Sequence, residues 1–164
     1  MVVAKAVKRV SDLLDRFCSI VLVILLAGMV LVTLMQIICR VFFDALTWSE
    51  EVARYLLVWS TFIGAGCVYK KGGHISVLIA QEYLPIKMQK LAQILVQLLC
   101  GAFFAIALYY GAKYMRLQGN QLSAALRIPM RLMYMAVPVG CSIMLLHALD
   151  NILQSLVAKE VAKL

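Results

Sequence analysis

An uninterrupted run of 23 uncharged residues, Phe17–Cys39, constrains the fold of this chain more than any other feature. A helix of about 20 apolar residues is long enough to cross the hydrocarbon core of a bilayer. Since no secretory cleavage site follows the run, we interpret it as a retained membrane span. A hydrophobic fraction of 64% supports this interpretation, because soluble domains are usually only about 45–50% apolar.

Three more apolar runs follow, at 55–69, 91–112 and 132–149. The first of these reaches the length of a span only when residues 52–54 join it. The runs predict an all-α integral membrane protein that forms a single membrane domain. We expect its four transmembrane helices at about 17–39, 52–69, 91–112 and 132–154.

Lysines and arginines near the span ends predict the orientation. Ten of them lie on the N-terminal segment, the loop between the second and third spans and the C-terminal tail, and six lie on the opposite side. The positive-inside rule therefore predicts that both termini are cytoplasmic. Because these cations are scattered between apolar runs, they are typical of membrane surfaces, and no nucleic-acid partner is expected.

Two shorter segments do not have the character of a span. Residues 3–16 place apolar side chains at three- and four-residue steps with basic side chains between them, which predicts an amphipathic helix lying on the cytoplasmic leaflet. The segment 74–85 is apolar but too short to cross, so we expect it in the interface or beneath the bundle.

The start of the second span concentrates charge at the mouth of the membrane. Glu50 and Arg54 are four residues apart on one helix face, an arrangement that favours an ion pair. Glu51 adds a second carboxylate, for which Arg40 at the end of the first span is a candidate partner. Trp48 suits the aromatic belt at this depth. Either these charges pin the first two spans together, or one carboxylate faces another protein.

Polar side chains on the last two spans recur at helical spacing, in the series Gln89, Gln93 and Gln97 and the series His147, Asp150, Asn151 and Gln154. Such side chains are costly in lipid, so we expect them to face other helices. No ionisable residue lies near the middle of any span. This absence argues against a pump, channel or carrier made by this chain alone.

The two connections carry further candidates for partner contact or structure. Arg127 and Arg131 either reach lipid phosphates or meet an acidic surface of a soluble partner, and Pro129 between them limits helix continuation. On the other side, Gly72 permits a sharp exit from the second span, and His74 follows it.

The sequence contains no pattern that indicates catalysis, a metal or a cofactor. Its five cysteines occur singly within or beside apolar runs, as buried small side chains do. It has no nucleophile–base pair and no phosphate-binding loop, so we do not expect an enzyme.

Two stretches resemble the small membrane subunit of tripartite ATP-independent periplasmic (TRAP) transporters. These are WSEEVARYLLVWSTFIGAGCVYKKGGHISV at 48–77 and QLSAALRIPMRLMYMAVPVG at 121–140. The positions that match the family pattern are Trp48, Glu50, Glu51, Arg54, Gly64, Gly72, His74 and Pro129. The resemblance implies no catalytic role for any of them.

The resemblance also implies a setting for the chain. It would be a multi-pass protein of the bacterial inner membrane, partnered by a large membrane subunit and a periplasmic solute-binding protein. The large subunit would carry the substrate and sodium sites for import of an organic anion, such as a sialic acid, a C4-dicarboxylate or a related sugar or keto acid. This chain would brace the large subunit and help to dock the binding protein.

Two other functions stay open at the level of sequence. One is a haem-binding subunit of a membrane redox complex, with His74 and His147 as its imidazoles. The other is a self-sufficient small transporter that works as a homo-oligomer, which the absence of a mid-span carboxylate disfavours.

Overall fold

The computed structural model describes residues 2–71 and 86–161, which contain five α-helices. In chain order they are α1 (Val2–Phe42), α2 (Ser49–Lys70), α3 (Ile86–Leu117), α4 (Arg131–Tyr134) and α5 (Ala136–Val161). Over these two ranges the only pairing of extended chain is an isolated bridge between Leu122 and Pro129. Gly72, His74 and the predicted segment 74–85 lie outside the described residues.

Four helical stretches are long and apolar enough to cross a membrane: Ala6–Phe42, Ser49–Lys70, Ile94–Leu117 and Arg131–Leu153. The predicted all-α class with four span-length helices is therefore confirmed. The last stretch combines α4 and α5, which are separated at Met135. Pro138 explains this separation, because it has no N–H to donate to the carbonyl of Tyr134 four residues earlier.

The first helix differs from the expectation of a separate interfacial helix at 3–16. That segment continues into the span as one helix of 41 residues, about 60 Å long and twice the thickness of the hydrocarbon core. The sequence around Arg16 and Phe17 has no glycine or proline to end a helix, which accounts for the continuity. A position of this segment on the cytoplasmic leaflet stays a prediction.

The helices α2 and α5 form the centre of the bundle. The helix α1 packs against α2 and also touches α5, whereas α3 packs against α5 and the short α4. One edge-to-face ring contact, between Tyr69 and Phe104, joins α2 to α3. In the described chain α1 and α3 therefore lie on opposite sides of a central pair.

The bundle has two ends, which hold different segments of the chain. The loop end holds the start of α2, residues 118–130 and α4. The terminal end holds the start of α1, the last turn of α2 and the part of α5 from His147 onward, as the contacts of Asp12 with Lys70 and of Ser11 with His147 show.

Two glycines let α2 and α5 approach closely. A Cβ added to Gly140 of α5 would stand 2.7 Å from the Cβ of Phe62 and 3.1 Å from its carbonyl oxygen. A Cβ added to Gly66 of α2 would stand 2.8 Å from Cγ2 of Ile143. Small residues at helix contacts are typical of membrane bundles, where packing replaces the hydrophobic effect as the force between helices.

We predict that Gly140→Ala destabilises the bundle by about 1–3 kcal/mol, the usual cost of overpacking. The added methyl group meets backbone as well as side-chain atoms of Phe62, so the helices must separate. The measurement is the free energy of unfolding in detergent. The control is Gly101→Ala in α3, where an added Cβ has no described neighbour within 4 Å. Equal stability of the two variants would contradict the prediction.

Candidate functional site

The connection between α3 and α4 folds back on itself through backbone hydrogen bonds. The N–H of Ser123 donates to the carbonyl of Ile128 at 2.9 Å, and the N–H of Met130 donates to that of Gln121 at 2.8 Å. The N–H of Ile128 also donates to the hydroxyl oxygen of Ser123 at 3.2 Å. Ser123 itself is buried. Residues 121–130, the folded loop below, therefore have a defined shape.

One residue of the folded loop adopts a left-handed backbone. Arg127 has φ of 56°, and no other non-glycine residue among those described has a positive φ. A left-handed conformation costs a side-chain-bearing residue on the order of 1–2 kcal/mol. The side chain of Arg127 is exposed. The turn therefore holds a cationic side chain outward at an energetic cost.

The carboxylate of Glu51 ties the folded loop to the start of α2. Its Oε2 accepts hydrogen bonds from the backbone N–H groups of Ala125 at 2.9 Å and Leu126 at 3.1 Å. Its Oε1 accepts a hydrogen bond from the hydroxyl of Tyr55. Hydrogen bonds to an ionised acceptor are stronger than those between neutral groups. Glu51 therefore acts as an anchor for the tip of the loop.

A single stripe of α2 makes these contacts. Glu51, Tyr55 and Trp59 follow each other at four-residue steps, so they lie on one face of the helix. The sulfur of Met130 lies 3.4 Å from the Tyr55 hydroxyl, and the indole N–H of Trp59 donates to the carbonyl of Leu132 at 3.2 Å. The stripe joins α2 to the loop and to the start of α4.

A cleft of about 430 Å³ opens between α2 and the folded loop. Its wall includes Glu50, Arg54, Gln121, Met130 and Met133. Both charged side chains are exposed. The cleft thus combines an acid, a base and apolar thioethers at the mouth of the bundle.

The ion pairs predicted for this region are not formed. Of the ion pairs within 4.0 Å whose two residues are both described, Lys70–Asp12 is the one formed, and it lies at the terminal end. Glu50 and Arg54 do not pair, and Arg40 lies exposed in the last turn of α1. An exposed pair four residues apart on a helix gains only about 0.3–0.5 kcal/mol, too little to fix two long side chains. Glu51 binds backbone amides in place of an arginine.

The other predicted residues have more varied positions. Trp48 precedes α2 and is 37% exposed. Gly64 faces α1, but a Cβ there would stand 3.5 Å from Leu22, an ordinary contact. Pro129 forms the bridge with Leu122, and Arg131 is exposed at the start of α4.

The terminal end contains polar contacts that hold α1 to the other helices. The hydroxyl of Ser11 lies 2.9 Å from Nδ1 of His147, and Nζ of Lys70 lies 2.6 Å from Oδ1 of Asp12. Ser11 is 0% exposed and His147 is 1% exposed. The prediction that His147 faces another helix is confirmed.

Sequence reasoning missed several residues that matter here. The spacing of Glu51 and Tyr55 was a usable signal, because side chains four apart on a helix are neighbours. The amides of Ala125 and Leu126 carry no signal, since any residue offers a backbone N–H. The Ser11–His147 contact joins residues 136 positions apart and needs the tertiary fold to be seen.

Comparison with known proteins places most of the chain in one family. The sequence model described as "Tripartite ATP-independent periplasmic transporters, DctQ component" matches residues 29–158. Over 120 residues the chain is 25% identical to the ectoine TRAP transporter small permease protein TeaB of Halomonas elongata, covering 72% of this chain and 62% of TeaB. Over 102 residues it is 30% identical to the C4-dicarboxylate TRAP transporter small permease protein DctQ of Rhodobacter capsulatus, covering 60% of this chain and 44% of that protein.

A longer relative is also similar. Over 110 residues the chain is 26% identical to the isethionate TRAP transporter permease protein DctMQ of Oleidesulfovibrio alaskensis, covering 66% of this chain and 17% of that protein. The chain therefore spans less than two thirds of the length of each of these three relatives.

We predict that Glu51→Gln loosens the folded loop while the helices stay intact. The amide side chain keeps the shape of Glu51 but loses the charge that its backbone donors bind. Hydrogen exchange of residues 123–128 should become several-fold faster, with unchanged helical circular dichroism. Glu50→Gln is the matched control, because no described hydrogen bond involves the Glu50 side chain. Equal exchange in both variants would show that Glu51 does not anchor the loop.

Proposed function

The chain belongs to the DctQ component family of tripartite ATP-independent periplasmic transporters, and from this premise we propose that it is the small, non-catalytic membrane subunit of one such importer. In this role it braces a large membrane subunit that carries the solute, and it helps to dock a periplasmic solute-binding protein. A sodium gradient drives the import.

The proposed substrate class is an organic anion, such as a sialic acid, a C4-dicarboxylate or a related sugar or keto acid. The relatives differ in the solute that their names give, which includes isethionate, ectoine, C4-dicarboxylate and sialic acid. This spread within one family supports a substrate choice made outside the small subunit.

The observation that carries the role in docking is the cleft at the loop end. Its unpaired Glu50 and Arg54 are held near the tip of the folded loop, which Glu51 anchors. Charged side chains that have no ion-pair or hydrogen-bond partner within the described chain are suited to contact with a charged partner protein. Arg127 and Arg131 lie exposed on the same end and extend this surface.

The outer faces of α1 and α3 support the bracing role. In the most apolar stretch of α1, only 6% of the residues are buried by the rest of the chain. In the most apolar stretch of α3, the buried share is 11%. The corresponding fraction for the last span is 44%. Such open apolar faces suit contact with lipid and with a larger membrane protein. The relative DctMQ, of which this chain matches 17%, supports a close physical association with a much longer membrane protein.

The orientation completes the proposal. With both termini cytoplasmic in the bacterial inner membrane, the loop end faces the periplasm, where a solute-binding protein would approach. The distribution of lysine and arginine supports this orientation.

The alternative of a self-sufficient carrier finds less support. The buried ionisable side chains His147 and Asp150 lie toward the terminal end, whereas the core between α2 and α5 is lined by Ile63, Cys67 and Ile143, with the uncharged Ser60 buried in the middle of α2. A solute path through a bundle is usually marked by ionisable groups near its middle.

Charge removal in the cleft tests the proposal. In a preparation that contains both membrane subunits, Glu50→Gln combined with Arg54→Gln should weaken binding of the solute-binding protein and lower uptake several-fold, because the partner's charges lose their counterparts. A control outside the cleft is Lys113→Gln with Arg116→Gln, two exposed cations on α3 that do not line it. Unchanged binding of the solute-binding protein and unchanged uptake would contradict a docking role for the cleft.

The same preparations test the arginines of the loop end. Arg127→Asn with Arg131→Gln removes two charges, and asparagine tolerates the left-handed backbone at position 127. Affinity for the solute-binding protein should fall and lose much of its salt dependence. If the variant keeps the affinity and the salt dependence of the wild type, the arginines do not contact the solute-binding protein, and contact with lipid is the role that remains for them.

A further inference from the structure

The N-terminal part of α1 presents three faces with different chemistry. The inward face holds Ser11 and Cys18, which are buried at 0% and 3% exposure. Two outward faces remain, and both are uncovered in the described structure. Their composition is the basis of an inference that does not depend on the transport role.

Contacts at the terminal end fix the rotation of α1 about its own axis. Ser11 is bound to His147 of α5, and Asp12 is bound to Lys70 of α2. Two partners on two different helices leave the segment little freedom to turn. The outward faces are therefore set by the fold and by the 3.6-residue period of the helix.

The first outward face is apolar. Val10, Leu13 and Phe17 are 55%, 72% and 63% exposed, and they follow at three- and four-residue steps. The second outward face is basic, with the exposed side chains of Lys8, Arg9 and Arg16. Asp12 lies on the basic face, but its charge is already compensated by Lys70.

We propose that these two faces together form a binding site for the headgroups and upper acyl chains of anionic phospholipids. The apolar face enters the acyl region beside the membrane surface, and the three cations bind phosphate oxygens at the headgroup level. Neighbouring apolar and basic stripes are the pattern by which helices bind an anionic membrane surface. Arginine adds planar, two-point binding of phosphate.

Electron paramagnetic resonance of spin-labelled lipids tests the site with the full chain. The chain is reconstituted in phosphatidylcholine vesicles with spin-labelled phosphatidylglycerol or spin-labelled phosphatidylcholine, and the motionally restricted fraction of each probe is measured. The wild type should hold more phosphatidylglycerol than phosphatidylcholine at low salt. The preference should disappear at about 1 M salt, where the screening length is only ~3 Å.

Removal of the two arginines is the decisive variant. Arg9→Gln with Arg16→Gln should lower the preference for phosphatidylglycerol by about two- to five-fold, since each basic residue near the surface attracts anionic lipid. Both side chains are exposed, so the bundle should keep its helical content. Lys113→Gln with Arg116→Gln, which removes the same charge elsewhere, should keep the preference of the wild type.

Two results would overturn the proposal. One is that Arg9→Gln with Arg16→Gln keeps the wild-type preference for phosphatidylglycerol. The other is that both double variants lose this preference equally, which would reveal a general charge effect. Inorganic phosphate provides a further check on the source of the ligand. If it displaces spin-labelled phosphatidylglycerol more strongly than chloride at equal ionic strength, the site recognises the phosphate group alone, which would contradict the proposed part of the apolar face in binding.

Discussion

Close packing of α2 on α5 is the constraint on which the rest of this bundle depends. In a membrane, apolar side chains gain nothing from leaving water, so two helices hold together by the fit of their surfaces. Gly140 seated against Phe62 and Gly66 seated against Ile143 provide that fit. The outer helices α1 and α3 then pack on an existing pair, and each keeps a broad apolar face uncovered.

The same central pair gives the loop end its shape. Because α2 is held by α5, its first turns form a fixed base on which Glu51 can anchor the backbone of Ala125 and Leu126. The carboxylate of Glu51 is occupied by these hydrogen bonds, whereas its neighbour Glu50 is unpaired beside the cleft. The two adjacent carboxylates thus differ, since Glu51 is hydrogen-bonded inside the chain and Glu50 is exposed with no described hydrogen bond or ion pair. We propose that Glu50 is available to a partner.

Much of the architecture was predictable from the sequence, because its signals are strong. Runs of uncharged residues such as Phe17–Cys39 identify membrane spans by length alone. The polar stripe at His147 correctly indicated contact with another helix, although its partner Ser11 lies 136 residues away and has no local signal. Pairing of charges was predicted wrongly, since Glu50 and Arg54 gain little from each other when exposed. The anchor of Glu51 was not predictable, because its donors are backbone amides.

A helix boundary was also difficult to foresee. The change from an amphipathic to a uniformly apolar pattern near Phe17 suggested two helices, but the pattern reports the environment of side chains and not the course of the backbone. With no glycine or proline at the transition, the helix continues. The N-terminal segment is therefore connected rigidly to the span and is oriented by Asp12 and Ser11.

We propose that this chain supports a transport machine and does not itself carry solute. Reconstitution in vesicles tests it most directly, by measuring uptake driven by a sodium gradient with the chain alone and with its large subunit and solute-binding protein added. The account predicts uptake by the three components together and none by the chain alone. Accumulation of the same solute by vesicles that contain only this chain would contradict it.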